Sequence, residues 1–188
     1  MILANDQYTV TITVESMPSL EDYTVIYRPD DFELSDYYSA RLLKIEYDGK
    51  QPQFLALVDM VLSCAEHCAV LENDILTVIQ SDRILRINLK EGVVCQCVDC
   101  DNIGGLEQIH SIENGYIIKG ECDVFGYDSA LTSVWRFCGR DIFASPTGDV
   151  CFMMENGNIH CRDWLGWKYV LDFNGRLISE VQEESRGS

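Results

Sequence analysis

The pair Glu-Asn occurs three times in this chain of 188 residues, as Glu72-Asn73, Glu113-Asn114 and Glu155-Asn156. The pairs are 41 and 42 residues apart, and each stands between two short apolar runs. A period of about 40 to 45 residues is that of a four-stranded β-propeller blade. The sequence therefore predicts three successive four-stranded units, each with one Glu-Asn turn.

The segments around these pairs are typical of short strands joined by tight turns. The predicted strands are 68–71, 75–79, 84–89 and 93–98 in the first unit, 109–112, 116–119, 122–127 and 134–137 in the second, and 150–154, 158–162, 167–171 and 177–181 in the third. The dipeptides Glu91-Gly92, Asn114-Gly115, Asn156-Gly157 and Asn174-Gly175 supply turn residues that accept a positive φ. We therefore expect each unit to be an antiparallel meander.

The first third of the chain also favours strands. Residues 8–14 alternate between apolar residues and threonine, which predicts a half-buried strand. Residues 23–27, 42–47 and 54–61 are further strand candidates, and Asp48-Gly49 predicts a hairpin between the last two. Residues 58–67 form a short helix as an alternative, because a continuous apolar run does not distinguish the two.

Three blades cannot close a ring, because propellers generally have four to eight. We expect an all-β fold, an incomplete (half) β-propeller, in which the N-terminal strands add a partial fourth blade. The alternative is another all-β fold, a sandwich or a barrel. We expect one domain, with residues 1–64 completing the sheet stack and residues 65–184 forming three blades. Residues 185–188 resemble the remnant of a purification tag.

The charge of the chain restricts its partners. Thirty-one acidic residues against fourteen basic ones give a net charge of −17, spread along the whole sequence. Such a surface repels nucleic acid and anionic lipid and attracts basic partners, so neither nucleic acid nor a membrane is expected as a partner. The start of the sequence lacks the features of a signal peptide, and nine cysteines are free thiols in a reducing compartment. We expect a cytoplasmic location.

The spacing of several cysteines is close to that of zinc ligands. Cys97 and Cys100 have the spacing of one zinc knuckle, and Cys64 with Cys68 offers a second half. Alternation along a strand, however, places Cys95 and Cys97 on one face, as ordinary core residues. Free cysteine is also among the most buried residue types. We therefore predict core thiols, and we expect no metal and no cofactor.

Two Arg-Asp pairs, Arg140-Asp141 and Arg162-Asp163, follow predicted strands. An aspartate in such a turn can accept hydrogen bonds from backbone amides and hold the corner. We predict structural corners here, in preference to ligand contacts or acid–base groups. An acid without a matched base or nucleophile does not make a mechanism, so no enzyme activity is expected.

Two groups of side chains are candidates for contact with a partner. They are Asp30, Asp31, Glu33 and Asp36 in an acidic segment, and Trp164 and Trp167 in the third unit. The acidic segment lacks the spacing and the glycine of an EF-hand loop, so a calcium site of that kind is not indicated. The two remaining interpretations are a solvated loop and a binding site for a basic partner. Gly166 bends the strand between the two tryptophans, so we expect one in the core and the other exposed.

Several of these segments resemble a known class of protein. They are NGYIIKGE (114–121), GRDIF (139–143), RDWxGxKY (162–169) and NGRLI (174–178), together with Trp135. They are similar to small acidic bacterial immunity proteins of polymorphic and contact-dependent toxin systems, over residues 70–181 at most. The resemblance implies a cytoplasmic protein that has no catalytic residues and blocks a toxin by tight binding, often with an acidic face over a basic nuclease site.

We therefore expect a non-catalytic binding protein, an immunity protein that occludes the active site of a basic, nuclease-like toxin. The alternative is a cytoplasmic small-molecule sensor with a pocket lined by Trp and Arg side chains. A homodimer through an open blade face is a further expectation, because one sheet face of an unfinished stack has no neighbouring blade.

Overall fold

The computed structural model describes residues 1–30, 37–47, 49–59, 66–101 and 104–183. Those residues form seventeen β-strands in four sheets and contain no helix. The predicted all-β class is confirmed. The chain divides into two compact units, Met1–Cys100 and Asp101–Ser188. The boundary expected after residue 64 stays a prediction, because residues 60–65 lie outside the described part.

The N-terminal strands form one complete sheet of five strands. They are β1 (Ile2–Ala4), β2 (Tyr8–Ser16), β3 (Thr24–Tyr27), β4 (Ser39–Tyr47) and β5 (Gln53–Asp59). Their order is β1-β2-β4-β5-β3, and β3 runs parallel to β5 while the other pairs are antiparallel. The proposed helix over 58–67 is not present at residues 58 and 59, which belong to β5; residues 60–65 lie outside the described part.

One face of this first sheet is covered by a segment of its own unit. Strand β4 is buried on its two faces over most of its length. On one face, Ala40, Leu42, Ala56 and Val58 form a cluster, and the side chains packed against it are Leu20, Tyr23 and Tyr38. The hydroxyl of Tyr38 donates a 2.6 Å hydrogen bond to the carbonyl of Pro18, which holds the covering segment in place. The N-terminal sheet therefore has no open face there.

The three predicted repeats are present as four-stranded meanders. Their strands are β6 (Ala69–Glu72), β7 (Ile75–Gln80), β8 (Arg83–Asn88) and β9 (Val93–Asp99); β10 (Leu106–Ile112), β11 (Gly115–Gly120), β12 (Asp123–Asp128) and β13 (Ser133–Cys138); and β14 (Phe152–Glu155), β15 (Asn158–Arg162), β16 (Trp167–Asp172) and β17 (Leu177–Gln182). In each sheet the strands are neighbours in chain order and pair antiparallel. This confirms the blade-like pattern that the sequence predicts.

The Glu-Asn pairs mark the same place in all three meanders, namely the turn between the first and second strands. Asn73 and Asn156 have φ values of 53° and 52° there, in the left-handed region that asparagine tolerates better than most residues. In the second sheet Gly115, directly after Asn114, takes the positive φ instead. The sequence period therefore corresponds to topologically equivalent turns.

A second recurring feature closes the third strand of each meander. Asn88, Asp128 and Asp172 end β8, β12 and β16, and the side-chain oxygen of each accepts two backbone N–H groups. The donors are Lys90 and Glu91, Ala130 and Thr132, and Asn174 and Arg176, at 2.8 to 3.1 Å. The strand register shifts by a bulge just before each turn. This repeat was not predicted from the sequence, because asparagine replaces aspartate in the first copy.

The second unit is held together by side chains from the facing sides of its two sheets. The buried cluster consists of Ile117, Val124, Phe143, Phe152, Ile159, Cys161, Tyr169 and Leu171. Ile117 and Val124 come from the sheet β10–β13, while Ile159 and Leu171 come from the sheet β14–β17. Burying this apolar surface stabilises the pair of sheets by roughly 25 cal/mol per Å². The opposite side of the last sheet takes no part in this core.

Candidate functional site

The turn between β15 and β16 is organised by the carboxylate of Asp163, which is fully buried. Its Oδ1 accepts the backbone N–H of Trp167 at 2.8 Å, and its Oδ2 accepts the hydroxyl of Tyr169 at 2.7 Å. The backbone N–H of Asp163 donates to the carbonyl of Trp167, and its own carbonyl accepts the N–H of Gly166. The arrangement is that of a side chain that closes a turn.

Tyr169 connects this turn to the segment after β13. Its hydroxyl oxygen accepts the backbone N–H of Arg140 at 3.2 Å while its proton goes to Asp163. Burial, and next the hydrogen bond to Asp163, raise the pKa of Tyr169 above its ordinary value. The phenol therefore stays neutral at physiological pH, which suits a fixed donor and does not suit a proton acceptor.

The two Arg-Asp pairs adopt different geometries although their sequences match. Asp141 accepts the N–H of the next residue, Ile142, at 2.8 Å, and it is only partly buried. The guanidinium of Arg140 lies 4.0 Å from the centroid of the Trp167 ring and donates to Glu180 at 2.8 Å. The structure thus places Arg140 and Trp167 in direct contact, as a cation–π pair.

Arg162, from the second pair, turns away from this contact. Its guanidinium binds the carboxylates of Asp149 at 2.9 Å and Glu183 at 3.2 Å. It therefore lies in an ion-pair network on the last sheet, whereas the neighbouring Asp163 points into the core. Arg162 is the last residue of β15 and Asp163 is the first residue after it, so the side-chain alternation of the strand continues into the turn.

Trp164 stands exposed at the tip of the same turn. Its side chain is 49% exposed and that of Leu165 is 54% exposed. The backbone N–H of Trp164 donates a 2.8 Å hydrogen bond to the carbonyl of Ile142, so the backbone below the indole is fixed. Trp167 is partly buried and packs on the core of the unit. The turn presents an apolar tip on a rigid support.

The acidic candidates lie in the other part of the chain. Asp30 is exposed to solvent in the first unit. Asp31, Glu33 and Asp36 lie outside the described residues, so their role stays a prediction. The residues that the structure brings together are Trp167, Arg140, Asp163 and Tyr169, all in the second unit.

The prediction that Cys95 and Cys97 are core thiols is wrong. Both side chains are exposed, while Cys100 is buried. Strand β9 is the edge of its sheet, and a strand at an edge can leave one of its faces to solvent. Within the described ranges, no group of three or more His, Cys, Asp or Glu side chains has an arrangement that could hold a metal ion.

A cleft of about 290 Å³ lies in the second unit. Its lining consists of Ile112, Asn114, Tyr116, Gly126, Tyr127, Asp128, Val134, Trp135, Phe173 and Asn174. The indole nitrogen of Trp135 donates a 3.1 Å hydrogen bond to the carbonyl of Phe173, which joins the two sheets. A Cβ atom at Gly126 or Gly175 would overlap the indole ring. Glycine at these two positions therefore makes room for Trp135.

Comparisons with known proteins identify the fold and nothing finer. No family model and no curated protein matches the chain.

In the part of the chain that is described, no helix has the length and hydropathy needed to cross a membrane.

Three solved structures illustrate the similarity. BamB from Moraxella catarrhalis aligns with 95% of this chain at 13% identity and a TM-score of 0.55, and the match covers 54% of BamB. BBS1N in complex with ARL6DN aligns with 80% of this chain at 15% identity and a TM-score of 0.52, covering 50% of that chain. The Pan2 WD40 domain of Neurospora crassa aligns with 64% at 14% identity and a TM-score of 0.48, covering 39% of that domain. This chain thus spans about half the length of the propeller proteins it resembles, and its fold is of the β-propeller type.

Proposed function

We propose that this protein is a non-catalytic binding protein that neutralises a basic, nuclease-like bacterial toxin by covering its active site. The observation that supports this best is the exposed pair Trp164 and Leu165 on the turn that Asp163 holds rigid. The resemblance to immunity proteins and the net charge of −17 point to the class of partner.

The geometry of the turn suits a binding anchor. Tryptophan is enriched among the residues that contribute most to protein–protein affinity. The Trp164 backbone is already fixed by its hydrogen bond to Ile142, so binding orders little more than one side chain. A pre-organised contact residue loses less conformational entropy on binding, and affinity rises accordingly.

The charge of the chain suits a basic partner. An excess of seventeen negative charges attracts a cationic surface over long range and speeds the encounter. A nuclease active site that binds phosphates is such a surface. Asp30 is one exposed carboxylate of the first unit that adds to this negative charge. In the second unit, the ring of Trp167 contacts the guanidinium of Arg140.

The experiment identifies the product of the neighbouring gene and, where that product is a basic toxin, titrates it with this protein. The purified catalytic domain of the toxin should lose activity at one equivalent of this protein. Trp164→Ala should weaken the complex by about 30-fold or more, as expected for a central tryptophan anchor. Ile2→Ala, at a 68% exposed apolar residue of the first unit, is the matched control and should bind as the wild type does.

Salt gives a second readout of the same proposal. Sodium chloride screens attraction between opposite charges, so the complex with a basic toxin should weaken as salt rises. A neighbouring gene that encodes a metabolic enzyme, together with no inhibition of any basic partner recovered from the host, would overturn the proposal.

A second candidate function is a small-molecule sensor, and the aromatic cleft around Trp135 favours it. Tyr116, Tyr127 and Phe173 offer ring surfaces beside the carboxylate of Asp128. A ligand that binds the folded state raises the melting temperature by mass action, so a thermal-shift screen of metabolites tests this candidate. The response should vanish in Trp135→Phe if the cleft is the site.

A further inference from the structure

The last sheet, β14–β17, has one face that the described residues leave uncovered. Met153, His160 and Val170 are cross-strand neighbours on this face, opposite the side that packs into the core. Met153 is 46% exposed and Val181, on the edge strand β17, is 59% exposed. We define the open face by these four residues. It contains a groove of about 520 Å³.

Other sheets in the chain show how such a face is normally covered. In the second unit, the sheet β10–β13 uses one face to pack on the last sheet. In the first unit, Leu20, Tyr23 and Tyr38 cover a face of the N-terminal sheet. In a closed propeller every blade has a neighbour on each side. This chain spans only 50% and 54% of the two propeller-type chains that it matches well, so it supplies only part of such a set of blades.

The charges in the groove differ from those of the chain as a whole. Arg162 binds Asp149 at 2.9 Å and Glu183 at 3.2 Å, and Lys168 binds Glu183 at 2.5 Å. Two acids and two bases therefore compensate each other in the groove, on a chain whose net charge is −17. A strongly basic partner gains little here, because both carboxylates already have cationic partners.

We propose that the open face binds the same face of a second copy of this chain, forming a dimer with two-fold symmetry. A two-fold contact brings the same surface of both copies together, so that surface must not carry an excess of one charge. The groove meets this condition, because its two positive and two negative side chains neutralise each other. The exposed side chains of Met153 and Val181, with the partly buried side chain of Val170, supply the apolar area that leaves water.

The size of the face limits the strength of the contact. The four strands have four to six residues. At about 4.8 Å between strands and about 3.3 Å for each residue, the face measures at most roughly 19 by 20 Å. Such a face lies below the roughly 800 Å² per partner of a standard interface, so a weak, concentration-dependent dimer follows. Long-range repulsion between two acidic copies weakens it further at low salt.

The test is sedimentation equilibrium of the full chain across the micromolar range, at low and at high sodium chloride. We expect a monomer–dimer equilibrium that tightens as salt rises, because salt screens repulsion between copies of like charge. The complex with a basic toxin should show the opposite response to salt. The two proposals can therefore fail independently.

Single charge substitutions identify the surface. Val181→Glu and Met153→Glu place a carboxylate on the open face and should each weaken the dimer by at least tenfold. Ile2→Glu adds the same charge at an exposed site of the first unit and should leave the dimer unchanged. A chain that stays monomeric at every salt concentration would overturn the proposal, as would a dimer that both substitutions leave intact. Circular dichroism checks that each variant folds.

Discussion

The hydroxyl of Tyr169 donates a 2.7 Å hydrogen bond to the carboxylate of Asp163, and both side chains are buried in the second unit. The ring of Tyr169 also meets Phe137 and Phe143 edge-on, with centroids 5.1 and 6.2 Å away. Asp163 therefore connects the exposed turn below Trp164 to the core between the two sheets.

Replacing Asp163 by alanine should lower the free energy of unfolding by about 3 kcal/mol, because two hydrogen bonds lose their acceptor. The donors left behind are the buried Tyr169 hydroxyl and the partly buried Trp167 N–H. Asp141→Ala is the matched control from the other Arg-Asp pair. It removes one bond, to Ile142, at a partly buried site and should cost less than about 1 kcal/mol. Urea unfolding measures both, and equal losses would contradict the corner role of Asp163.

Gly175→Ala should destabilise the chain by roughly 2 to 4 kcal/mol, since a left-handed φ of 78° and an overlap with the Trp135 ring add together. Gly157→Ala is the control, because its φ of 77° is the same and no heavy atom lies within 4 Å of the added Cβ. It should cost about 1 to 2 kcal/mol. In a Trp135→Ala background the two glycine substitutions should cost the same, and a persisting difference would rule out the indole as its cause.

Asp172→Ala should cost about 1 kcal/mol, because the turn after β16 loses the acceptor of two backbone N–H groups, those of Asn174 and Arg176. Asp172→Asn should stay within about 0.5 kcal/mol of the wild type, since Asn88 accepts two amides in the equivalent turn of the first meander. Thermal unfolding distinguishes the two. An asparagine variant as unstable as the alanine variant would mean that the charge matters more than the acceptor oxygen.

The chain should lose stability in alkali. Burial raises the pKa of the Cys161 thiol from 9.0 to about 12. Between these values the unfolded thiol ionises while the folded thiol keeps its proton, so folding binds the extra proton. This thiol alone should lower stability by about 1.4 kcal/mol for each pH unit between pH 9 and about 12, while below pH 9 its contribution is constant.

Urea unfolding at a series of pH values measures this slope. Cys161→Ala should lose stability overall, yet its slope above pH 9 should be smaller than that of the wild type. Val124→Ala removes packing from the same core without removing a titrating group, so it should lower stability equally at every pH. An unchanged slope in Cys161→Ala would show that this thiol does not carry the effect.

Local sequence signals predicted the strands of the repeats well, because a turn and the alternation beside it depend on nearby residues. The strand over residues 158–162 has the predicted bounds, and the largest difference is three residues, at the start of β10. Alternation along the strand also led to the prediction that Cys95 and Cys97 are buried, and that prediction is wrong. Alternation shows which residues share a face, whereas burial depends on what lies against that face.

The sequence did not predict which strands pair when they are distant in the chain. Strand β2 pairs antiparallel with β4, although β3 lies between them in the chain, and β3 pairs parallel to β5. Neither pairing has a signature in neighbouring residues. The sequence also did not predict which residues line the cleft around Trp135. Gly126 and Gly175 are far apart in the chain, and the need for glycine at both positions arises only because each lies against the indole ring.

The sequence by itself determined that this chain is all-β, that its last two-thirds repeat as four-stranded meanders and that its surface is strongly acidic. The tertiary structure alone decided which faces are covered, which thiols reach solvent and which of two matching Arg-Asp pairs closes a buried turn. The physical reason is that strand period and turn chemistry act within a few residues, whereas burial and side-chain partners arise only when separate sheets pack against each other.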